Sequence, residues 1–182
     1  MNIILDLMGS TIIGGGIIMM LLNFNIFQSN SVFASDSELQ LQQNAKTLAE
    51  ILNHDLRKIG YRCDSTAFIQ ADSEYVSFYA DIDRNGSIDK VEYFWGDTSS
   101  ASLTTNPRDR LLLRIVNSDT ISGPSLGLIK ARFLYLDNLG SPTSTFTEIK
   151  YIKAELWIEP YEPVNGEYPF TYWELTINPR NL

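Results

Sequence analysis

At 182 residues, 44% of them hydrophobic, the chain has material for one core of ordinary size plus an appendage, and too little for two full domains. Its 14 Lys and Arg face 22 Asp and Glu, and the net charge of -8 at a pI near 4.6 excludes a partner bound by releasing counterions from a phosphate backbone, so no nucleic acid is expected. Cys63 is the one cysteine, which rules out a disulfide within the chain and a cysteine metal cluster and leaves the redox compartment undefined.

The chain opens MNIILDLMGSTIIGGGIIMMLLNFN. From Ile3 to Phe27 a helix would run roughly 37 Å at about 1.5 Å per residue, enough to cross a bilayer core. Asp6 is the only charge before Asp36, and the first basic residue is Lys46. An ordinary anchor carries basic residues on its cytoplasmic flank. A secretory signal carries them at its start, although Val32-Phe33-Ala34 before Ser35 has the small residues of a cleavage site. Neither class accounts for Asp6. A carboxylate inside a hydrophobic helix costs about 2.5 to 3.5 kcal/mol on insertion scales and usually faces protein. If the helix packs against copies of itself, the α-amino group of a neighbour can neutralise Asp6 and set the axial register. Alternatively, Asp6 lies near enough to the helix start to stay at the interface and favour the helix dipole. Gly14, Gly15 and Gly16 also have two readings. Each costs about 1 kcal/mol in a helix relative to Ala, which makes the trio a weak point able to extend in a filament core; equally, the trio forms a small-residue face for close packing.

The run Asn2-Ile3-Ile4-Leu5-Asp6 followed by some twenty apolar residues resembles the start of the type IV pilins and pseudopilins, with Asp where Glu is usual. That resemblance implies a long N-terminal helix held first in the inner membrane and then extracted by pilus assembly machinery into a helical homopolymer. It places the mature protein at the cell surface in an extracellular filament.

After Phe27 the stretch QSNSVFAS is polar, and Ser35-Asp36-Ser37-Glu38 has the spacing of a capping box, which predicts the start of a second helical segment. Leu41, Ala45, Leu48, Leu52, Leu56 and Ile59 then recur at steps of three and four, the stripe of an amphipathic helix with Gly60 as its C-cap. His54 and Asp55 lie off that stripe, and His54, the only histidine, reads as solvated surface. The segment NHDLRKIGYRC, with RFLYLDNLG and the closing PRNL, resembles the PilW-type minor pilins. In that setting Cys63 is a small hydrophobe at the joint between helix and sheet.

Beyond Cys63 the period switches to two. Residues 75–80, 90–95, 110–117, 128–136, 148–159 and 170–177 are rich in aromatic and β-branched side chains and read as strands. DTSSASLTTNP, SDTISGPSLG, DNLGSPTST and PYEPVNGEYP read as loops. The expected fold is therefore α+β and pilin-like: a hydrophobic, then amphipathic, N-terminal helix packed on an antiparallel sheet. The expected division is a helical spine at 1–34, an amphipathic helix at 35–60 and a β-rich head at 61–182.

Between the first two expected strands lies DIDRNGSIDKVE. Asp81, Asp83, Asn85, Ser87, Asp89 and Glu92 fall at positions 1, 3, 5, 7, 9 and 12 of a calcium loop, with Gly86 at the turn position 6. A hard cation needs six to eight oxygens, and alternate residues of a tight loop can turn theirs inward. Asn85-Gly86 is equally the commonest tight hairpin turn, which needs no metal. Among the six, Glu92 is the weakest ligand because the following KVEYFW reads as a strand. Calcium is the candidate cofactor, and no organic cofactor is expected. Without a nucleophile elbow, a phosphate loop or more than one His, the chain offers no catalytic set. The expected function is a structural filament subunit whose head serves adhesion or motility. The alternatives are a low-copy minor pilin or secretion pseudopilin at a filament tip, and a monomeric membrane-tethered module that binds calcium or another ligand.

Overall fold

The computed structural model describes residues 3–64, 66–101, 104–123, 125–164 and 166–182. Helix α1 (Ile3–Leu56) runs 54 residues as one α-helix. The break expected at QSNSVFAS does not occur, and the box at Ser35 to Glu38 is ordinary helical turns. Residues 28–37 contain neither Gly nor Pro, and polar residues cost only about 0.5 kcal/mol each relative to Ala. With helix already formed on both sides, a cap there would have to compete against propagation, which it does not. The helix closes at Leu56, and its end loosens into tight turns, with the Lys58 amide donating to Asp55 O (2.9 Å) and the Tyr61 amide to Lys58 O (2.8 Å). Gly60 therefore does not cap the helix directly. It sits in the turn that follows, left-handed at φ 76°, where its amide donates to Tyr79 O (2.9 Å) and a Cβ would press on the Asn181 carbonyl oxygen at 3.1 Å.

The strands form two antiparallel sheets, where one was expected. Strands β1 (Phe68–Ala71), β2 (Tyr75–Ala80), β3 (Asp89–Trp95), β4 (Leu112–Val116) and β5 (Asp119–Ser122) follow one another as a meander in that order. Strands β6 (Leu128–Leu136), β7 (Tyr151–Ile158) and β8 (Thr171–Ile177) make the second sheet. The strand expected across residues 110–117 is shorter, because Asn117 adopts φ 60° and turns the chain straight into β5. β5 lies inside a stretch read from sequence as loop, and β1 was also unforeseen. Both have only four residues, too few to establish a period.

The chain separates into two compact units, Met1–Leu39 and Gln40–Leu182. In the second, the predicted stripe is buried throughout: Leu41, Ala45, Leu48, Leu52, Leu56 and Ile59 share one core with both sheets. A fully buried Leu contributes about 2 kcal/mol, so this face holds α1 to the strands. The two sheets meet through Phe68 against Tyr135 (ring centroids 6.1 Å, edge to face) and Trp95 against Phe133 (5.2 Å). The Phe133 amide also donates to Ser73 O at 2.7 Å.

Candidate functional site

Two features have no purpose in the core: the apolar first part of α1 and the loop between β2 and β3. In the unit Met1–Leu39, large apolar side chains point outward all round the helix, from Ile3 (81% exposed) through Met20 (76%) to Phe27 (72%). None of this apolar stretch is buried, and by length and composition α1 is able to cross a membrane. Its polar residues bond within the helix, with the Ser10 hydroxyl donating to the Asp6 carbonyl and Thr11 Oγ1 to Met8 O (2.9 Å). The side chain of Asp6 is exposed in the first turn. Gly14, Gly15 and Gly16 are regular helix, and a Cβ built on any of them would meet nothing within 4 Å. Among the described residues, nothing demands glycine there.

The loop from Asp81 to Asp89 joins β2 to β3 where Ala80 pairs with Asp89. Asp81 follows the last residue of β2 and is wholly buried; Asp89 opens β3 and is 6% exposed; Asp83 lies on the exposed rim. Positive φ at Arg84 (65°) and Gly86 (91°) folds the chain back over these side chains. The amides of the loop donate to its side-chain oxygens: Gly86 to Asp81 Oδ2 (3.1 Å), Asn85 to Asp83 Oδ1 (3.1 Å), Ser87 to the Asn85 carboxamide Oδ1 (2.7 Å) and Ile82 to Asp89 Oδ2 (3.1 Å). One carboxylate oxygen from each of Asp81, Asp83 and Asp89 lies within 4.8 Å of the other two. Arg62 Nη1 donates to Asp81 Oδ2 at 2.9 Å, and Asn117 Nδ2 to Asp89 Oδ1 at 2.9 Å. Burial alone would push the Asp81 carboxyl up, but the Arg62 guanidinium and the backbone amides of Gly86 and Arg84 outweigh it and hold it below the usual carboxylate range.

Five of the six residues read as loop ligands, namely Asp81, Asp83, Asn85, Ser87 and Asp89, thus sit in one turn, and three bring carboxylates together. Glu92 is elsewhere. It is the fourth residue of β3, paired with Ser77, and three strand residues beyond Asp89 carry it about 10 Å along the sheet. There it accepts from the Tyr75 hydroxyl (2.8 Å) and pairs with Lys90.

Asp55 was missed from the sequence. It is 2% exposed, and its Oδ2 accepts from Arg114 Nε (2.6 Å) and the hydroxyl of buried Tyr93 (2.7 Å), while Oδ1 meets His54 Nδ1 (2.8 Å). Burial would raise the Asp55 carboxyl; the Tyr93 and Arg114 hydrogen bonds and the Arg114 charge prevail and lower it. The group clamps α1 to the paired residues Tyr93 and Arg114 of β3 and β4. One signal was available, since Asp55 stands three residues after Leu52 and beside Leu56, at the edge of the apolar stripe. His54 is exposed, as expected. Cys63 is half-buried just after the turns that close α1.

A comparison with known proteins finds no family model, no curated protein and no solved structure that matches the chain.

Proposed function

We propose that this chain is the structural subunit of a type IV pilus-like extracellular filament, held in the inner membrane by α1 until the assembly machinery extracts it. The observation carrying this reading is the outward display of apolar side chains round the whole first part of α1, with a folded β-rich unit on the same chain. Such a surface is stable in lipid or against like helices, and not in water. In the membrane the helix satisfies its own backbone polar groups. On polymerisation the apolar area passes from lipid to neighbouring subunits, and the Asp6 carboxylate takes the α-amino group of an adjacent copy. A subunit docked out of step would leave that carboxylate buried and unpaired, which selects one axial register. The head faces solvent and supplies adhesion or motility.

The test is to shear cells expressing the full chain and to image and probe the supernatant, with Asp6→Asn in parallel. Filaments containing the chain are expected from the parent. The Asn variant is expected to stay in the membrane fraction at normal abundance while sheared filaments fall about tenfold or more, equivalent to about 1.4 kcal/mol or more per subunit contact. A parent chain found solely as a membrane-held monomer, or an Asn variant that polymerises normally, overturns the proposal.

A further inference from the structure

We infer that the Asp81–Asp89 loop is a calcium site whose ligands come from Asp81, Asp83, Asn85, Ser87 and Asp89, without Glu92. This inference is independent of the filament reading. It begins from an oxygen that the protein leaves unsatisfied. Asp81 is fully buried, and while its Oδ2 accepts from Arg62 and the Gly86 amide and the Arg84 amide also faces the carboxylate, its Oδ1 has no well-formed hydrogen bond from any of the described residues. A buried acceptor in that state is costly and needs an explanation. The neighbouring carboxylates cannot provide one: those of Asp83 and Asp89, within 4.8 Å of that of Asp81, are acceptors only when ionised. Three negative charges converge there, and the Arg62 guanidinium, half-exposed on the other oxygen of Asp81, compensates one of them. A cation held among the three carboxylates and reached by that oxygen would satisfy it and remove the repulsion together.

The donors indicate which cation. All are oxygens, with no imidazole or thiolate among them, which selects a hard ion such as calcium or magnesium over zinc or copper. Asn85 adds a side-chain carbonyl, and position 7 of such a loop, here Ser87, contributes its backbone carbonyl. The rim at Asp83, Asn85 and Ser87 is exposed, so water can complete the shell. An irregular set of five protein residues plus water suits the six to eight ligands of calcium, whereas magnesium demands a near-ideal octahedron and gives up its water reluctantly. The internal bonds explain why the loop keeps this form, since the amides of Asn85, Gly86 and Ser87 orient the side chains of Asp83, Asp81 and Asn85 in turn. Glu92, which would normally give two oxygens, is committed to Tyr75 and Lys90 on β3. Losing a bidentate ligand shifts the affinity to the weak end of such loops, Kd about 10⁻⁴ to 10⁻³ M, the range of extracellular modules.

The test uses the full chain in detergent micelles, stripped with a chelator and titrated calorimetrically with calcium or magnesium, with thermal melts at matched ionic strength. One calcium per chain is expected in that Kd range, with magnesium at least about tenfold weaker. At a calcium concentration about ten times Kd, Tm should rise by about 4 °C. Asp83→Asn, on the exposed rim and outside the core, should weaken calcium binding about tenfold or more while the metal-free Tm stays within about 2 °C of the parent. Glu92→Gln should leave it unchanged. No calcium heat together with no Tm shift beyond that of sodium chloride, an Asp83→Asn variant that binds like the parent, or a Glu92→Gln variant that loses the metal would each overturn the inference.

Discussion

Replacing Asp55 by Ala removes one acceptor from three donors. Tyr93 is fully buried, so its hydroxyl loses the carboxylate it donates to and cannot turn to solvent; the Arg114 side chain, 23% exposed, is left as a mostly buried uncompensated charge. His54 is 69% exposed and its contact contributes little. Breaking a buried ion pair from one side costs about 3 to 5 kcal/mol, and the partial access of Arg114 to water puts this site at about 3 kcal/mol. For a head of this size about 3 °C of Tm accompanies each kcal/mol, which gives a fall of about 10 °C. All three tryptophans, Trp95, Trp157 and Trp173, lie in the unit Gln40–Leu182, so tryptophan fluorescence on heating or in denaturant follows the head without interference from the apolar helix. The pH dependence follows from the lowered pKa of Asp55. A carboxyl lowered by folding contributes stability that is complete above its ordinary value of 3.8 and is lost as pH falls through the folded value. The difference between parent and variant should hold from neutrality to about pH 5 and shrink below about pH 4. A loss under about 1 kcal/mol at neutral pH, or a difference that persists at pH 2 while the parent remains folded, would refute the clamp.

Asp109 should behave in the opposite sense. It is fully buried and, among the described residues, poorly supplied with donors; burial and nearby Glu159 raise its pKa against a weaker opposing contact from the Thr104 hydroxyl. The folded state binds its proton more tightly, so stability is lost as pH rises above the ordinary value of 3.8, and the loss is complete once pH passes the folded pKa. Asp109→Asn should raise Tm by about 3 °C at neutral pH, an advantage that melts taken at successively lower pH should show vanishing towards pH 4. A lower Tm at neutral pH would mean that the ionised group is held by a partner. For the glycine trio, changing Gly14, Gly15 and Gly16 together to Ala should favour helix by about 1 kcal/mol per site, with room for every methyl. Membrane retention should be unaffected, while the yield of sheared filaments falls if that segment must extend in the polymer. Undiminished yield would show that the trio serves neither extension nor close packing.

The parts of the fold legible in the sequence were those with a long enough period. Six apolar residues at helical spacing defined the buried face of α1, and β2 and β6 occupy the expected 75–80 and 128–136. β1 and β5 escaped because four residues cannot display alternation, although Asn117 ahead of β5 was a readable sign of a turn through φ above zero. The division into two sheets was not legible, since it depends on which strands find each other across the sequence rather than on any one strand. Asp55 illustrates the same limit. Its spacing put it beside the stripe, but its partners Tyr93 and Arg114 lie 38 and 59 residues away, and burial of a charge depends on them. The loop at Asp81 was readable because its donors are local and alternate, and Glu92 departs from it because strand geometry overrides a spacing that helical flanks would have satisfied.

β5 has a consequence for molecules that are to stand side by side at high density. It is the outer strand of its sheet, all four of its residues are exposed, and it carries Asp119 at one end and is followed by Gly123 at the other. β1, the opposite border, is equally brief and is interrupted by a bulge between Phe68 and Gln70. Borders so short, charged and irregular make poor templates for an additional strand from an adjoining molecule. The five-stranded sheet can therefore be crowded without being knitted to its neighbours, and its surroundings are left to be organised by side chains rather than by backbone.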